Sequence, residues 1–503
     1  MDMKKTLVML LGVVLIVATA KAQVFTKVNT KLSGVMQPVM SWLDVNHSGF
    51  PDVFLAGDRY LNSRHLVLSQ VVFKAKDNRF MPTASPFQAL YRGDAAVADV
   101  DKDGDQDIVM TGLNQFNKPV MVLYRNDGNR HFTPMKTSFT PLTDGSLEWG
   151  DFDHDGDLDI LATGKRFDNR LVTIIYRNDG GLFTKMVLDV PGVYDGSARW
   201  GDFDGDGDLD LLITGNDGRG PFTAIYRNDN GKYYKISQSF VPLENSDAAW
   251  ADFDGDGDLD FIISGKNKEG YPELHVYSNE GSFFRDMPES MRPLKSCSID
   301  VADFDGDGDP DVVMTGESME RPYTLVYKNN SAFDFEKIAA GLPGLSNGKA
   351  LWCDYDKDGD MDLLIAGITV CYDFVGDVYR NNINPPKKEA ETGTSIFINA
   401  PLPKYDRGPY YYYVFSSCYC DPSGGKKPKY HLFISNVHKE KQAYDLNYKY
   451  NNILLKTVPN WGKADRGHRT SNGFNTKKEA EASRVQVIES YKATGFQVHY
   501  INW

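Results

Sequence analysis

The stretch GDFDGDGDLDLLITG, Gly201 to Gly215, decides the fold. Aspartate stands at every second position from Asp202 to Asp210, and an apolar run follows at once. Carboxylates this close repel one another. Either a cation sits among them or the segment stays open and hydrated. The same pattern starts again at Asp44, Asp99, Asp151, Asp252, Asp303 and Asp354, in steps of 50 to 55 residues. That period is too long for a hexapeptide solenoid and suits one four-stranded blade.

The register extends past the aspartates. Two positions before the first Asp stand Trp42, Val97, Trp149, Trp200, Trp250, Val301 and Trp352, and the next residue is small in six of the seven copies. Thirteen positions after it stands a glycine in every copy, from Gly57 to Gly367. A strand centred on Phe73, Tyr124, Tyr176, Tyr226, Tyr277, Tyr327 or Tyr379 follows, and it usually enters a turn such as YRNDG. Each unit therefore reads as four strands: one ending in Trp-small-Asp, the apolar run, the Tyr strand, and a strand after the Asn-Asp-Gly turn. The β-branched and aromatic content favours strands over helices. The seventh unit stops after DVYRNN, one strand short, while VFTKV (Val24 to Val28) resembles the missing strand. The sequence thus predicts a mainly β fold, a seven-bladed β-propeller closed by its own N-terminal strand, which leaves no exposed edge.

Within each loop, numbered from its first Asp, positions 1, 3, 5 and 9 carry oxygen side chains and position 6 is glycine. Glycine lets the chain turn left-handed and fold its oxygens around one point. Hard anionic oxygens favour Ca2+; Mg2+ demands stricter octahedral geometry and Zn2+ prefers His or Cys. An EF-hand is excluded, because position 12 is apolar and lies in a β-type run. The candidate metal ligands of the first unit are Asp44, Asn46, Ser48 and Asp52. The second offers Asp99, Asp101, Asp103, Asp105 and Asp107, and the third Asp151, Asp153, Asp155, Asp157 and Asp159. The fourth offers Asp202, Asp204, Asp206, Asp208 and Asp210, and the fifth Asp252, Asp254, Asp256, Asp258 and Asp260. Asp303, Asp305, Asp307, Asp309 and Asp311 serve the sixth, and Asp354, Asp356, Asp358, Asp360 and Asp362 the seventh. Up to seven Ca2+ ions are expected, one per unit. The first site is the weakest, having fewer charges and Pro51 inside its loop.

The 503-residue chain carries a formal charge of −14. Those loops hold 32 of its 69 acids, so the acidity reads as ligand charge, and nucleic acid is not an expected partner. Lys4 and Lys5, the apolar run Thr6 to Thr19 and Ala20-Lys21-Ala22 read as a signal peptide over residues 1–22. A secreted, periplasmic or cell-surface protein with no transmembrane segment after cleavage is expected. Five cysteines are too few and too scattered for a disulfide framework.

The units resemble FG-GAP/VCBS repeats, as in the propeller head of integrin α subunits and in many secreted bacterial proteins. The resemblance rests on DFDHDGDLD, DFDGDGDLD and DYDKDGDMD and covers residues 23–384. It implies the propeller and its calcium. Function is left open, since such repeats serve adhesion proteins, lectins and propeller scaffolds of polysaccharide lyases and other enzymes.

The loops joining strands two and three emerge at the end opposite the Asp loops. Six carry a base and an aromatic: Arg59 and Tyr60, Lys118 and Phe116, Arg166 and Phe167, Arg219 and Phe222, Lys268 and Tyr271, Arg321 and Tyr323. The seventh has Tyr372 and no base. Such pairs suit glycans or extracellular protein ligands, or else simply begin strand three. The first expectation is a binding or adhesion module; the alternative is the scaffold of a polysaccharide lyase or hydrolase. No catalytic constellation is legible.

Residues 385–395 read as a polar linker and 396–503 as a small α+β domain. There Asn475 or Thr476 would cap a helix ending at Gly495, with Ala482, Val485, Ile488 and Tyr491 on one face.

Overall fold

The computed structural model describes residues 24–383, apart from 62–63, 75–78, 129 and 289, and separate stretches beyond residue 410. The signal segment and the linker expected from the sequence lie outside the described residues. The chain divides into two compact units, the second built mainly from residues 388–503.

The first unit is a seven-bladed propeller of four-stranded antiparallel sheets. Blade four shows the pattern: Tyr194–Gly201, Asp210–Asn216, Pro221–Asp229 and Lys232–Lys235, each strand pairing with the next. The second strand of every later blade is buried along its first six residues, as in Asp210–Asn216. Blades stack face to face, so this strand is covered on both sides. That explains a continuous apolar run where a one-sided sheet would alternate. The outermost strands bury one aromatic each and leave their other residues exposed or half-exposed, as with Phe284 in Phe284–Met287.

Blade seven is composite. Its own strands Ser346–Cys353, Asp362–Ile368 and Phe374–Asn381 are completed by Phe25–Val28, with Phe25 opposite Asn381 and Val28 opposite Val378. Phe25 is fully buried and stacks on Phe304 of blade six.

The small residue after the Trp has a local cause. A Cβ on Gly201 would come within 2.8 Å of the indole of Trp250 in the next blade. The crowding comes from the neighbouring blade's tryptophan.

Beyond the propeller, Val414–Cys420 lies between His468–Thr470 and Lys429–Ser435, which pairs in parallel with Gln497–Ile501. Residues at 477–478, 480–482, 484–485 and 488 are helical. The expected helix face is corrected: Ala480 and Ile488 are buried, whereas Ala482 and Val485 are exposed. The buried stripe follows i, i+4 spacing through Arg484 rather than the 482–485–488 line. Tyr491, the proposed caps and Gly495 lie outside the described residues.

Candidate metal centres

Each Asp loop joins strands one and two of its blade, so all seven lie at one end of the ring. Position 9 is the anchor. Asp52, Asp107, Asp159, Asp210, Asp260, Asp311 and Asp362 are fully buried. In every one, Oδ2 accepts the backbone N–H of loop position 2 at 2.8–3.1 Å. Its Oδ1 accepts a backbone N–H from strand three at 2.7–2.8 Å; the donors are Lys74, Asn126, Asn178, Asn228, Asn279, Asn329 and Asn381. One carboxylate thus ties the loop to the sheet.

Position 1 organises the rest. Asp252 accepts from the N–H groups of Asp256 and Gly257 at 3.1 and 3.0 Å, and Asp99, Asp303 and Asp354 do the same in their loops. Gly257 sits at φ 100°, where a side chain would be strained. The loop is therefore wrapped around its first carboxylate.

The wrapping brings like charges together. Carboxylate oxygens of Asp99, Asp101 and Asp107 lie within 4.8 Å of one another, as do those of Asp151, Asp153 and Asp159, of Asp252, Asp254 and Asp260, and of Asp303, Asp305 and Asp311. In the fourth loop the group is Asp202, Asp204 and Asp206. Burial, then the neighbouring carboxylates, push Asp101, Asp153 and Asp254 above the usual range, and Asp356 up to about 6. Burial pushes Asp260 up to about 7 against the two backbone hydrogen bonds that pull it down. Asp151 Oδ1, Asp305 Oδ1, Asp358 Oδ2 and both oxygens of Asp356 are buried without a hydrogen-bond partner among the described residues. Buried, unpartnered, mutually repelling carboxylates are what a cation would satisfy. These clusters could hold a metal, and the all-oxygen donor set is consistent with calcium.

Position 7 makes contacts between blades. Asp105 pairs with His47 at 2.7 Å, Asp157 with Lys102 at 2.5 Å and Asp208 with His154 at 3.5 Å. Each base occupies position 4 of the preceding blade's loop, in a left-handed conformation. Lys357 continues the series into blade one, where position 7 is Phe50 and the ammonium lies 5.1 Å from its ring centre. Position-4 residues that look variable in sequence stitch neighbouring loops together. A signal was present: they are basic in four copies and glycine in the other three.

The first loop is different. Asn46 Nδ2 donates to Asp52 at 3.2 Å, and the Ser48 hydroxyl donates to Asp44 at 3.4 Å. Amide and hydroxyl groups there satisfy the carboxylates that a cation would otherwise meet.

At the opposite end, Tyr60, Phe116, Phe167, Tyr271 and Tyr372 are 54, 70, 78, 57 and 81% exposed. Lys118, Arg219, Lys268 and Arg321 are exposed too, while Arg59 and Arg166 are half-buried. Phe222 and Tyr323 are half-buried against the core, and Tyr323 lies between the guanidinium groups of Arg292 and Arg321. Arg59 lies 5.1 Å from the ring centre of Phe374. Two shallow grooves open here. One of about 670 Å³ includes Lys165, Arg170, Tyr194 and Arg219; another of about 530 Å³ includes Lys118, Arg166 and Phe167.

The inner strands also hold a feature that the sequence pattern does not announce. Gln37, Arg92, Asp144, Asp195, Asn245, Ser296 and Asn347, one per blade, all have φ between 45 and 57°. They sit seven positions before the first Asp, where the register slips in five of the seven inner strands. Beside them, buried Asp58 takes a 3.1 Å hydrogen bond from His65, and Tyr91 packs edge-on to that imidazole. Arg92 pairs with Asp144 at 2.5 Å.

Residues 99–162, 202–263, 252–314 and 303–365 match the FG-GAP-like repeat family. No curated protein matches the chain. Among solved structures, it is similar to an Aleuria aurantia lectin in complex with alpha-methyl-L-fucoside, at 13% identity over 57% of this chain and 91% of that one, TM-score 0.36. The V. cholerae biofilm matrix protein Bap1 is 12% identical over 72% and 90%, TM-score 0.34. A thermostable family-43 glycoside hydrolase is 8% identical over 53% and 98%, TM-score 0.30. These likenesses are too distant to speak for either end of the ring. Among the described residues, no helix is long and apolar enough to cross a membrane.

Proposed function

We propose that this chain, a seven-bladed propeller of FG-GAP-like repeats, is an exported binding module whose Asp loops hold calcium and whose opposite rim takes a glycan. The observation that carries the ligand assignment is the rim itself. Four of the seven loops between strands two and three expose an aromatic ring, and in blade one Tyr60 exposes another near the end of strand two; four of these five rings have an exposed or half-buried base close by. Exposed rings at the tips of a rigid scaffold suit stacking on pyranose faces, and the bases suit hydroxyl or acidic substituents.

Calcium would be held by side chains at positions 1, 3, 5 and 9, with the position 7 carbonyl as a further donor. It would supply the charge that the clusters lack and lock loop to sheet. The first loop, already satisfied by its own hydrogen bonds, would bind weakest.

Binding of the purified chain to an array of oligosaccharides, repeated with Phe167→Ala and Phe116→Ala, tests the assignment. Binding that weakens in both variants supports it. A protein ligand bound at the same rim, with no glycan retained, would replace it.

A second reading is a polysaccharide-active enzyme. It is favoured by one cluster: buried Asp58 with an unpartnered Oδ1, His65, Tyr91 and the Arg92–Asp144 pair. New reducing ends or unsaturated sugars released from a bound polysaccharide, lost in Asp58→Asn, would establish it.

A further inference from the structure

Strand three of each blade carries a polar residue just after its Tyr or Phe. In blades two, three and four this is Arg125, Arg177 and Arg227. Each guanidinium is held by the aspartate two residues on: Asp127 at 2.6 Å, Asp179 at 2.8 Å and Asp229 at 2.7 Å. Blade six reads YKNN, so Asn330 stands where those blades have the acid. Lys328 turns instead into the sixth Asp loop. Its Nζ donates to Asp305 and, at 2.6 Å, to Asp307. Those are loop positions 3 and 5. Burial alone would lower the lysine's pKa, but its two carboxylate partners push it up, and Lys328 in turn holds Asp307 below the usual carboxylate range.

We propose that Lys328 is a tethered cation that competes with the divalent ion for the sixth loop. That loop is then harder to fill and quicker to empty than it would be without the lysine. The proposal rests on the calcium reading above. An ammonium bound at positions 3 and 5 occupies two donors and adds a positive charge a few ångströms from the incoming ion. To bind metal, the loop must eject it, and residue 330 offers it no carboxylate. In blades two to four the corresponding arginines pair with Asp127, Asp179 and Asp229. The ring therefore carries a graded set of sites rather than six equal ones.

The test is calorimetric titration of the chelator-stripped, purified chain with CaCl2. Asp303→Ala, which disables the sixth loop, identifies that loop's share of the isotherm by subtraction. In Lys328→Met, that share should tighten by about tenfold. Asn330→Asp, which restores an acid two residues on, should draw the lysine out and have the same effect. Arg177→Met serves as control and should leave the sixth-loop share unchanged. Superposable isotherms for wild type, Lys328→Met and Asn330→Asp overturn the proposal while leaving the calcium reading intact. No heat of binding in any of the proteins removes both.

Discussion

The indole of Trp42 in blade one lies parallel to the phenol ring of Tyr355 in blade seven, with an interplanar angle of 1° and centroids 6.1 Å apart. Tyr355 is position 2 of the seventh Asp loop. The same relation joins Phe152 to Trp200, Phe203 to Trp250 and Phe304 to Trp352. Each of these Asp loops thus presses an aromatic onto the next blade's tryptophan, and the Trp42 pair closes the circle. Trp42→Ala should cost about 3 kcal/mol in a denaturant titration with calcium present. Trp149→Ala should cost less, because its counterpart in the preceding loop is Val100 and no stacked pair is lost.

Stripping the metal should lower stability through the same loops. At about 1 mM free Ca2+ and a dissociation constant of about 0.1 mM, each site would contribute about 1.4 kcal/mol. Six filled sites would then contribute about 8 kcal/mol, comparable with a domain's whole stability. Excess chelator should lower Tm by well over ten degrees, and re-addition of Ca2+ should restore it. An unchanged melting curve, with no metal found by mass analysis of the protein beforehand, would refute the calcium assignment.

Positions 5 and 9 of one loop should respond differently. Asp260 accepts two backbone N–H bonds, from Phe253 and Asn279, whether or not a cation is present. Asp260→Asn must set an amide NH2 against one of those donors, so it should cost about 2 kcal/mol even in chelator. Asp256 accepts one loop N–H, from Asp258 at 2.9 Å. Asp256→Asn should be nearly silent in chelator and costly only with calcium present. Equal losses under both conditions for the two variants would contradict this division of labour.

The blade count, the strand order and the closing strand were legible because a period near 51 residues repeats seven times and the last unit lacks one strand. The convergent carboxylates were legible for the same reason. What escaped was whatever depends on the neighbouring blade. The partners of His47, Lys102 and His154 lie 54 to 58 residues away and are fixed by ring closure rather than local pattern. The strand-three asparagines repeat visibly, yet only the fold shows what their side chains hold. Asn279, Asn329 and Asn381 reach the carbonyls of Phe203, Phe253 and Phe304 in the preceding blade. At the rim, composition does not separate Phe222 and Tyr323 from the exposed aromatics, because a strand start and an open loop tip draw on the same residues. Burial alone separates them.

The central channel supplies a pH dependence independent of the loops. Glu148 on the inner strand of blade three accepts the Trp200 N–H of blade four at 2.9 Å. Burial pushes its carboxyl up to about 7; Arg199 opposes the shift, and Asp94 and Asp247 add to it. A folded-state value above the unfolded one means that the native protein keeps a proton which the unfolded chain has released. Stability from this group is therefore present below the unfolded value, near 4.5, and is lost as pH rises through about 7. Gln at this position keeps an acceptor oxygen for Trp200 and does not titrate. The stability of wild type minus that of Glu148→Gln should thus fall by on the order of 2 kcal/mol between pH 4.5 and 8. Taking the difference cancels the titration of the Asp loops, which both proteins share. A difference that stays flat across this range would mean that Arg199 holds Glu148 charged throughout, and that the channel is a permanently ionised network.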